Sequence, residues 1–312
     1  MFKKLKKRIQ HCLGLPALAE RVEKLSIEAR IAAGFSRGAA GIGSRVINPR
    51  APGTWEFGAF SQHGEDGILD YLIRNLKSSD KYFLEIAAGD GLENCTAYLA
   101  LGGKWSGVLV EGDHALAEHC RMVYQNRIWN VMVQECYVNL ENIDKVLSKL
   151  PVKDFDLFSL DIDSIDFHIL KAALDSGYRP KILVLEYNSA FGPTQAITVP
   201  YKPVFNRWTE HPSGIYYGAS VIAWRVLLEP LGYKFVSVDS SGTNAFFAHR
   251  SHFHDVFLES LMPMGFLNNT TDTNPTTLFL RADNEFGNAF AVPDWEKQYP
   301  LINRLPLEAV NQ

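Results

Sequence analysis

Tyr82-Phe-Leu-Glu-Ile-Ala-Ala-Gly-Asp-Gly91 is a short apolar run closed by a glycine-bearing turn, and Gly107-Val-Leu-Val-Glu111 repeats a run ending in an acid about twenty residues later. This pairing suits a nucleotide-shaped ligand held at the carboxyl edge of a parallel sheet. Glycines let the backbone approach the ligand, and an acid closing the second strand accepts hydrogen bonds from ribose hydroxyls. Glu111 is the candidate for that acid. The turn reads Glu85-x-Ala87-x-Gly89-x-Gly91, which lacks the full dinucleotide fingerprint. A strand-turn-helix without a ligand is the bland alternative, and the second acid at the expected spacing weighs against it.

Working outward, strand and helix patterns alternate from Trp55 onward. Ser61 can cap a helix carrying Ile68, Leu69, Leu72 and Leu76 ahead of the strand at Tyr82. Further strands are expected at Val108 to Glu111, Val131 to Tyr137, Leu157 to Asp161 and Ile182 to Tyr187, with a helix at Asp166 to Leu174 and another around Tyr217 to Leu228. Lys234 to Asp239 and Asn244 to His249 flank the turn-forming Ser240-Ser-Gly-Thr243 and read as a hairpin. The expected fold is therefore α/β, Rossmann-like, with a seven-stranded, mostly parallel sheet ending in a C-terminal antiparallel hairpin, plus N-terminal helices. A nicotinamide-binding domain would more usually end in a sixth parallel strand.

The chain has 312 residues, 46% of them apolar, enough for one large α/β core with appendages or two modest domains. Cys12, Cys95, Cys120 and Cys136 show no paired spacing for zinc or a disulfide framework, so a reducing cytoplasmic setting is expected. No apolar run is long enough to span a bilayer. Five basic residues fall within the first eight positions, which leaves 26 basic against 35 acidic side chains elsewhere. An acidic body argues against a nucleic-acid partner. On a helix, Phe2, Leu5, Ile9 and Leu13 share one side with lysines around the other. That pattern fits peripheral contact with an anionic membrane, at its inner face, or else a solvated terminus. Leu18, Val22, Leu25, Ala29 and Ala32 recur along a second helix and either pair subunits into an oligomer or pack on their own domain. The expected segments are N-terminal helices over 1–33, a Gly-rich linker or lid over 34–54, a catalytic domain over 55–250 and a C-terminal extension packed on it over 251–312.

Phe60-Ser-Gln-His-Gly-Glu-Asp-Gly67, Glu85-Ile-Ala-Ala-Gly-Asp-Gly91, Trp105-Ser-Gly-Val-Leu-Val-Glu111, Ser159-Leu-Asp-Ile-Asp163 and Val184-Leu-Glu-Tyr-Asn188 together resemble the FkbM-related class I S-adenosylmethionine-dependent methyltransferases. The likeness covers about Phe60 to Arg250. It implies O-methylation of a hydroxyl on a glycan, sugar or related small molecule, with S-adenosylmethionine held by Glu85, Ala87, Gly89, Asp90, Gly91, Glu111, Gly112 and Asp113. Two departures stand out: Ala87 replaces a glycine of the first motif, and Ser164-Ile165 follows Asp161-x-Asp163 in place of a glycine and a polar residue.

Asp161 and Asp163 close the fourth strand, and Glu186 and Asn188 the fifth, so all four can converge beside the cofactor turn. An oxygen-rich group of this kind suits Mg²⁺ or Mn²⁺ chelating a diol, or direct proton abstraction by Asp161, Asp163 or His168. Alternatively the acids cap helices, Asp163 ahead of Asp166 in particular. Ser189 to Gly214 is a long aromatic-rich insertion whose Phe191, Tyr201, Phe205, Trp208 and His211 either shape an acceptor pocket or close a satellite core. Two rival functions remain open: a nicotinamide-dependent oxidoreductase, and a non-catalytic scaffold at a membrane.

Overall fold

The computed structural model describes residues 15–124, 130–211, 214–267 and 295–311. The amphipathic segment from Phe2 to Leu13, and Cys12, lie outside them. Seven strands form one sheet: β1 (Tyr82–Ile86), β2 (Ser106–Glu111), β3 (Val131–Glu135), β4 (Leu157–Leu160), β5 (Ile182–Glu186), β6 (Tyr233–Val238) and β7 (Asn244–His249). Their spatial order is β3-β2-β1-β4-β5-β7-β6. The first five run parallel, β7 pairs antiparallel with β5, and β6 pairs antiparallel with β7. The Rossmann-like sheet with a terminal antiparallel hairpin is thus present, with strand ends within two residues of those expected.

Ten described helices accompany the sheet: α1 (Leu15–Ser44), α2 (Glu65–Arg74), α3 (Ala97–Gly103), α4 (His114–Tyr124), α5 (Ile143–Leu147), α6 (Asp166–Asp175), α7 (Arg207–Glu210), α8 (Val221–Leu228), α9 (Asp255–Ser260) and α10 (Trp295–Ile302). Side chains alternate across each strand, so a buried sheet feeds two cores. Leu84, Ile86, Val108 and Val110 face α5, α6 and α8, whereas Phe83 and Leu109 face α1 to α4 and α9. This arrangement leaves the carboxyl ends of β1, β4 and β5 side by side, next to the start of β7.

Three expectations need correction. The segment from Gly34 is helical to Ser44 rather than a linker. Its glycines permit close approach: a Cβ on Gly34 would lie 2.5 Å from the Phe60 ring, one on Gly38 2.9 Å from Tyr98, and one on Gly41 2.5 Å from Phe57. Helix α2 starts at Glu65 after a left-handed Gly64, so Ser61 is not its N-cap, although Ser61 Oγ still accepts a bond from the Asp66 amide. Leu76 lies beyond the helix, bridged to Phe253.

Of the insertion's aromatics, Phe191 and Phe205 help to build a satellite core, whereas Tyr201 packs on the main core and Trp208 is exposed beside Arg207. Phe191, Val199, Tyr216 and partly buried Phe205 pack with Ile302 and Leu305 of the C-terminal segment. A two-stranded ribbon, Ile197–Thr198 with Glu308–Ala309, ties the chain end there. Cys95, Cys120 and Cys136 are free thiols.

Candidate functional site

The turn after β1 is unusually open. Ala87, Gly89 and Gly91 all take positive φ, at 67°, 56° and 80°, and only glycine does so without steric cost. Ala87 and Ala88 both donate to Val110 O, which stitches the turn to β2. Buried Glu85 organises the loop from within: its carboxylate accepts from Asn94 Nδ2 at 2.8 Å, from the Cys95 and Thr96 amides and from Thr96 Oγ1. Burial pushes its pKa up to about 7 despite those bonds.

Glu111 accepts from the Gly89 amide on one oxygen and the Asp113 amide on the other, each at 2.8 Å. Each oxygen retains a lone pair for a ligand hydroxyl. Gly112 is covered by Tyr137, whose ring would sit 2.4 Å from an added Cβ and is otherwise 75% exposed. An aromatic face therefore stands beside the acid at the end of β2. Asp90 and Asp113 have other employment. Asp90 accepts from the Leu92 and Glu93 amides and pairs with Arg30 of α1 at 2.6 Å, while Asp113 accepts from the Ala115 and Leu116 amides at the start of α4.

A cleft runs from Ala87 and Gly89 to Ser159 and Asp161, walled by Ser61 to His63, Glu65, Thr243 and Asn244. Glu65 was not expected here. Its carboxylate accepts from the His63 amide and Asn244 Nδ2, at 2.7 and 2.8 Å. Burial, and then the charge of Asp239, push its pKa up to about 7. The neighbouring Asp66 holds the loop, with one oxygen accepting from the Ala59, Phe60 and Ser61 amides. The one sequence signal for Glu65 was its place in Phe60 to Gly67, since nothing local links that segment to the hairpin at Asn244.

At the Asp161 end of the cleft, Asp161, Asp163 and Glu186 each bring a carboxylate oxygen within 4.8 Å of the others. Burial is the main cause that raises the pKa values of both Asp161 and Glu186; the charges of Asp163 and Asp166 add to it for Asp161, and those of Asp161 and Asp163 for Glu186. Glu186 Oε2 is buried with no protein partner. Asp163 sits at φ 54° after β4 has ended and pairs with Arg207 of α7. The Arg207 guanidinium stacks over Tyr217 at 4.2 Å and Trp208 at 4.5 Å. Arg207 was missed because the insertion was read for its aromatics. The turn itself is held by Asp166, which accepts from the Ile162 and Ser164 amides; burial raises its pKa to about 6. Asp163 therefore does not cap α6.

Two candidates fall outside the cluster. Asn188 donates to Ile215 O and Tyr217 O and accepts from the Ala190 amide, so it braces the loop after β5 rather than offering an oxygen to an ion. His168 reaches Val199 O at 2.8 Å and packs edge-on to Tyr201, which ties α6 to the ribbon. Neither faces the cleft.

No family model and no curated protein matches this sequence. Among solved structures, the chain is similar to an O-methyltransferase from Bacillus cereus in complex with SAH, at 16% identity over 70% of this chain and 89% of that one, with a TM-score of 0.40. SAH-bound Podospora anserina methyltransferase PaMTH1 gives 16% identity, coverage of 61% and 78%, and a TM-score of 0.40. An S-adenosylmethionine-dependent methyltransferase from Clostridium acetobutylicum gives 12%, 59% and 89%, and 0.36. At such identities and scores, nothing about the chemistry of this chain follows from theirs.

Proposed function

We propose that the protein is an S-adenosylmethionine-dependent O-methyltransferase related to the FkbM group, acting on a hydroxyl of a glycan or similar metabolite in the cytoplasm or at the inner membrane face. The observation that supports this best is that Asp161 lines the same cleft as Ala87 and Gly89, so a proton acceptor and a nucleotide-type turn share one space. Cofactor and cleft also match in charge. Glu65 and Glu85, held partly neutral by burial, suit a ligand bearing a sulfonium and an ammonium group. Glu111 would accept from the ribose hydroxyls, with Tyr137 offering a face for the adenine.

When bound, S-adenosylmethionine supplies an electrophilic methyl group. The protein must hold the acceptor oxygen in line, take its proton and keep water out. The Asp161–Glu186 pair is suited to the proton, because a carboxylate whose basicity has been raised by burial accepts it nearer neutral pH than an ordinary one. Arg207 offsets the charge that remains, and it holds Asp163 beside the pair. The three carboxylates also fit Mg²⁺ or Mn²⁺, with the unpartnered Glu186 Oε2 as one ligand; a bound ion would ionise the pair and polarise the hydroxyl.

The decisive test is a thermal-shift comparison of S-adenosylmethionine, S-adenosylhomocysteine and NAD, since a ligand that binds only the folded state raises its stability. Stabilisation by both adenosyl ligands is expected; stabilisation by NAD alone would return the protein to the oxidoreductases. Asp161→Asn should depress turnover by about 100-fold or more while cofactor affinity holds, the range for losing a positioned base. Activity lost in chelator and restored by Mg²⁺ or Mn²⁺ would establish the ion, and full activity in chelator would leave direct proton abstraction.

A further inference from the structure

Helix α1 has two apolar faces, and one of them has no partner among the described residues. Ile27, Gly34 and Gly38 are buried against the domain, with Ile31, Phe35 and Ile42 packed beside them. At about 100° per residue, Leu18, Val22, Leu25, Ala29 and Ala32 fall on the opposite side, in heptad alternation with Leu15. All of that stripe is exposed: Leu15 43%, Leu18 57%, Val22 58% and Leu25 68%. No described residue before Ile27 is buried, and the first contact with the domain is the pair of Glu23 with His119 of α4 at 3.1 Å, on the side away from the stripe. The stripe runs for about 26 Å, at 1.5 Å per residue.

The flanking charges specify what fits. Arg21 and Glu28 lie on the same flank of the stripe, both exposed, and neither has an ion-pair partner among the described residues. In a parallel pair, this flank would meet the other flank of the second helix, which carries the uncharged Ala19, Ser26 and Ala33. In an antiparallel pair related by a two-fold axis, like flanks meet. Arg21 then faces Glu28 of the second helix, and the contact occurs twice. Val22 and Leu25 stack across the axis, and the small Ala29 and Ala32 let the helices approach where they leave it.

We propose that this face of α1 is a homodimer interface in which two copies of the chain pair antiparallel through Leu15, Leu18, Val22 and Leu25, with reciprocal Arg21–Glu28 contacts. It depends on none of the chemistry proposed for the cleft. The test is the mass of the full chain by analytical ultracentrifugation across a concentration series. The wild type should sediment as a dimer at high concentration, and Leu18→Glu with Leu25→Glu as a monomer whose far-ultraviolet circular dichroism is unchanged. Arg21→Glu and Glu28→Arg should each weaken the dimer by about tenfold, and the double charge swap should restore it, a rescue that structural damage would not give. A monomeric wild type at every concentration would overturn the proposal, as would a dimer indifferent to the leucine changes. It would equally be overturned if those changes released a monomeric protein from anionic vesicles, which would make the stripe a lipid-facing surface.

Discussion

Ala87 holds φ at 67°, where an L side chain costs about 1–2 kcal/mol and glycine nothing. Its amide is bonded to Val110 O, so the turn geometry is imposed rather than chosen by the residue. Ala87→Gly should therefore raise stability by about 0.5–1 kcal/mol, the strain relieved less the extra freedom gained by the unfolded chain. Urea denaturation would measure it, and a loss of stability would mean that the methyl group makes a contact worth more than the strain. Glu111→Ala should weaken adenosyl-ligand binding by about 1–3 kcal/mol, because it strips an acceptor from the ligand and frees the Gly89 amide; calorimetry showing no change would remove Glu111 from the site. The chemistry of single residues was only partly legible. Asp161, Asp163 and Glu186 could be placed together because strand ends in a parallel sheet share an edge. Asn188 and His168 sit at similar sequence offsets, yet their roles are decided by Ile215, Tyr217 and Val199, partners that no local pattern announces.

Among the elements, α1 departed furthest from expectation, and its glycines explain why. A run of Gly34, Gly38, Gly41 and Gly43 reads as flexible because glycine disfavours an isolated helix by about 1 kcal/mol per position. Against Phe60, Tyr98 and Phe57 the missing Cβ atoms become an advantage, since they let the helix axis come close enough for aromatic rings to fill the gaps. Tertiary packing thus outweighs propensity. Gly34→Ala tests that balance. Helix propensity alone predicts a gain of about 1 kcal/mol, whereas a methyl group 2.5 Å from the Phe60 ring predicts a net loss of about 1–3 kcal/mol from overpacking. The loss is expected in denaturant titration. A gain would show that α1 docks more loosely than its contacts with Phe60 imply. Strands, by contrast, were legible to within two residues, because each is a short, mostly apolar segment bounded by acids or turn residues.

At the scale of the whole molecule, the order of apolar runs and turns made the sheet legible, and the long-range closure of the cleft was not. Glu65 lies 179 residues from Asn244, its partner across the wall. That closure has a thermodynamic consequence. Burial raises Glu65 and Glu85 from the ordinary 4.5 to about 7, and Asp166 from 3.8 to about 6. Between the ordinary and raised values the folded chain binds more protons than the unfolded one, so their contribution to stability is fully present below the ordinary pKa and is lost as pH rises through the raised one. The ligand-free protein should accordingly lose stability from about pH 4.5 to about pH 7 relative to Glu65→Gln, by a few kcal/mol at most, since each pKa unit is worth about 1.4 kcal/mol. Urea midpoints across that range would show a shallower decline in the variant. Binding couples to the same proton. A ligand with a fixed positive charge favours ionised Glu65, so S-adenosylmethionine should bind the wild type more tightly as pH rises through about 7, while S-adenosylhomocysteine, without the sulfonium charge, responds less. In Glu65→Gln the difference between the two ligands should shrink to what Glu85 contributes. If calorimetry found no larger difference in the wild type, Glu65 would be a buried structural acid that no cation reaches.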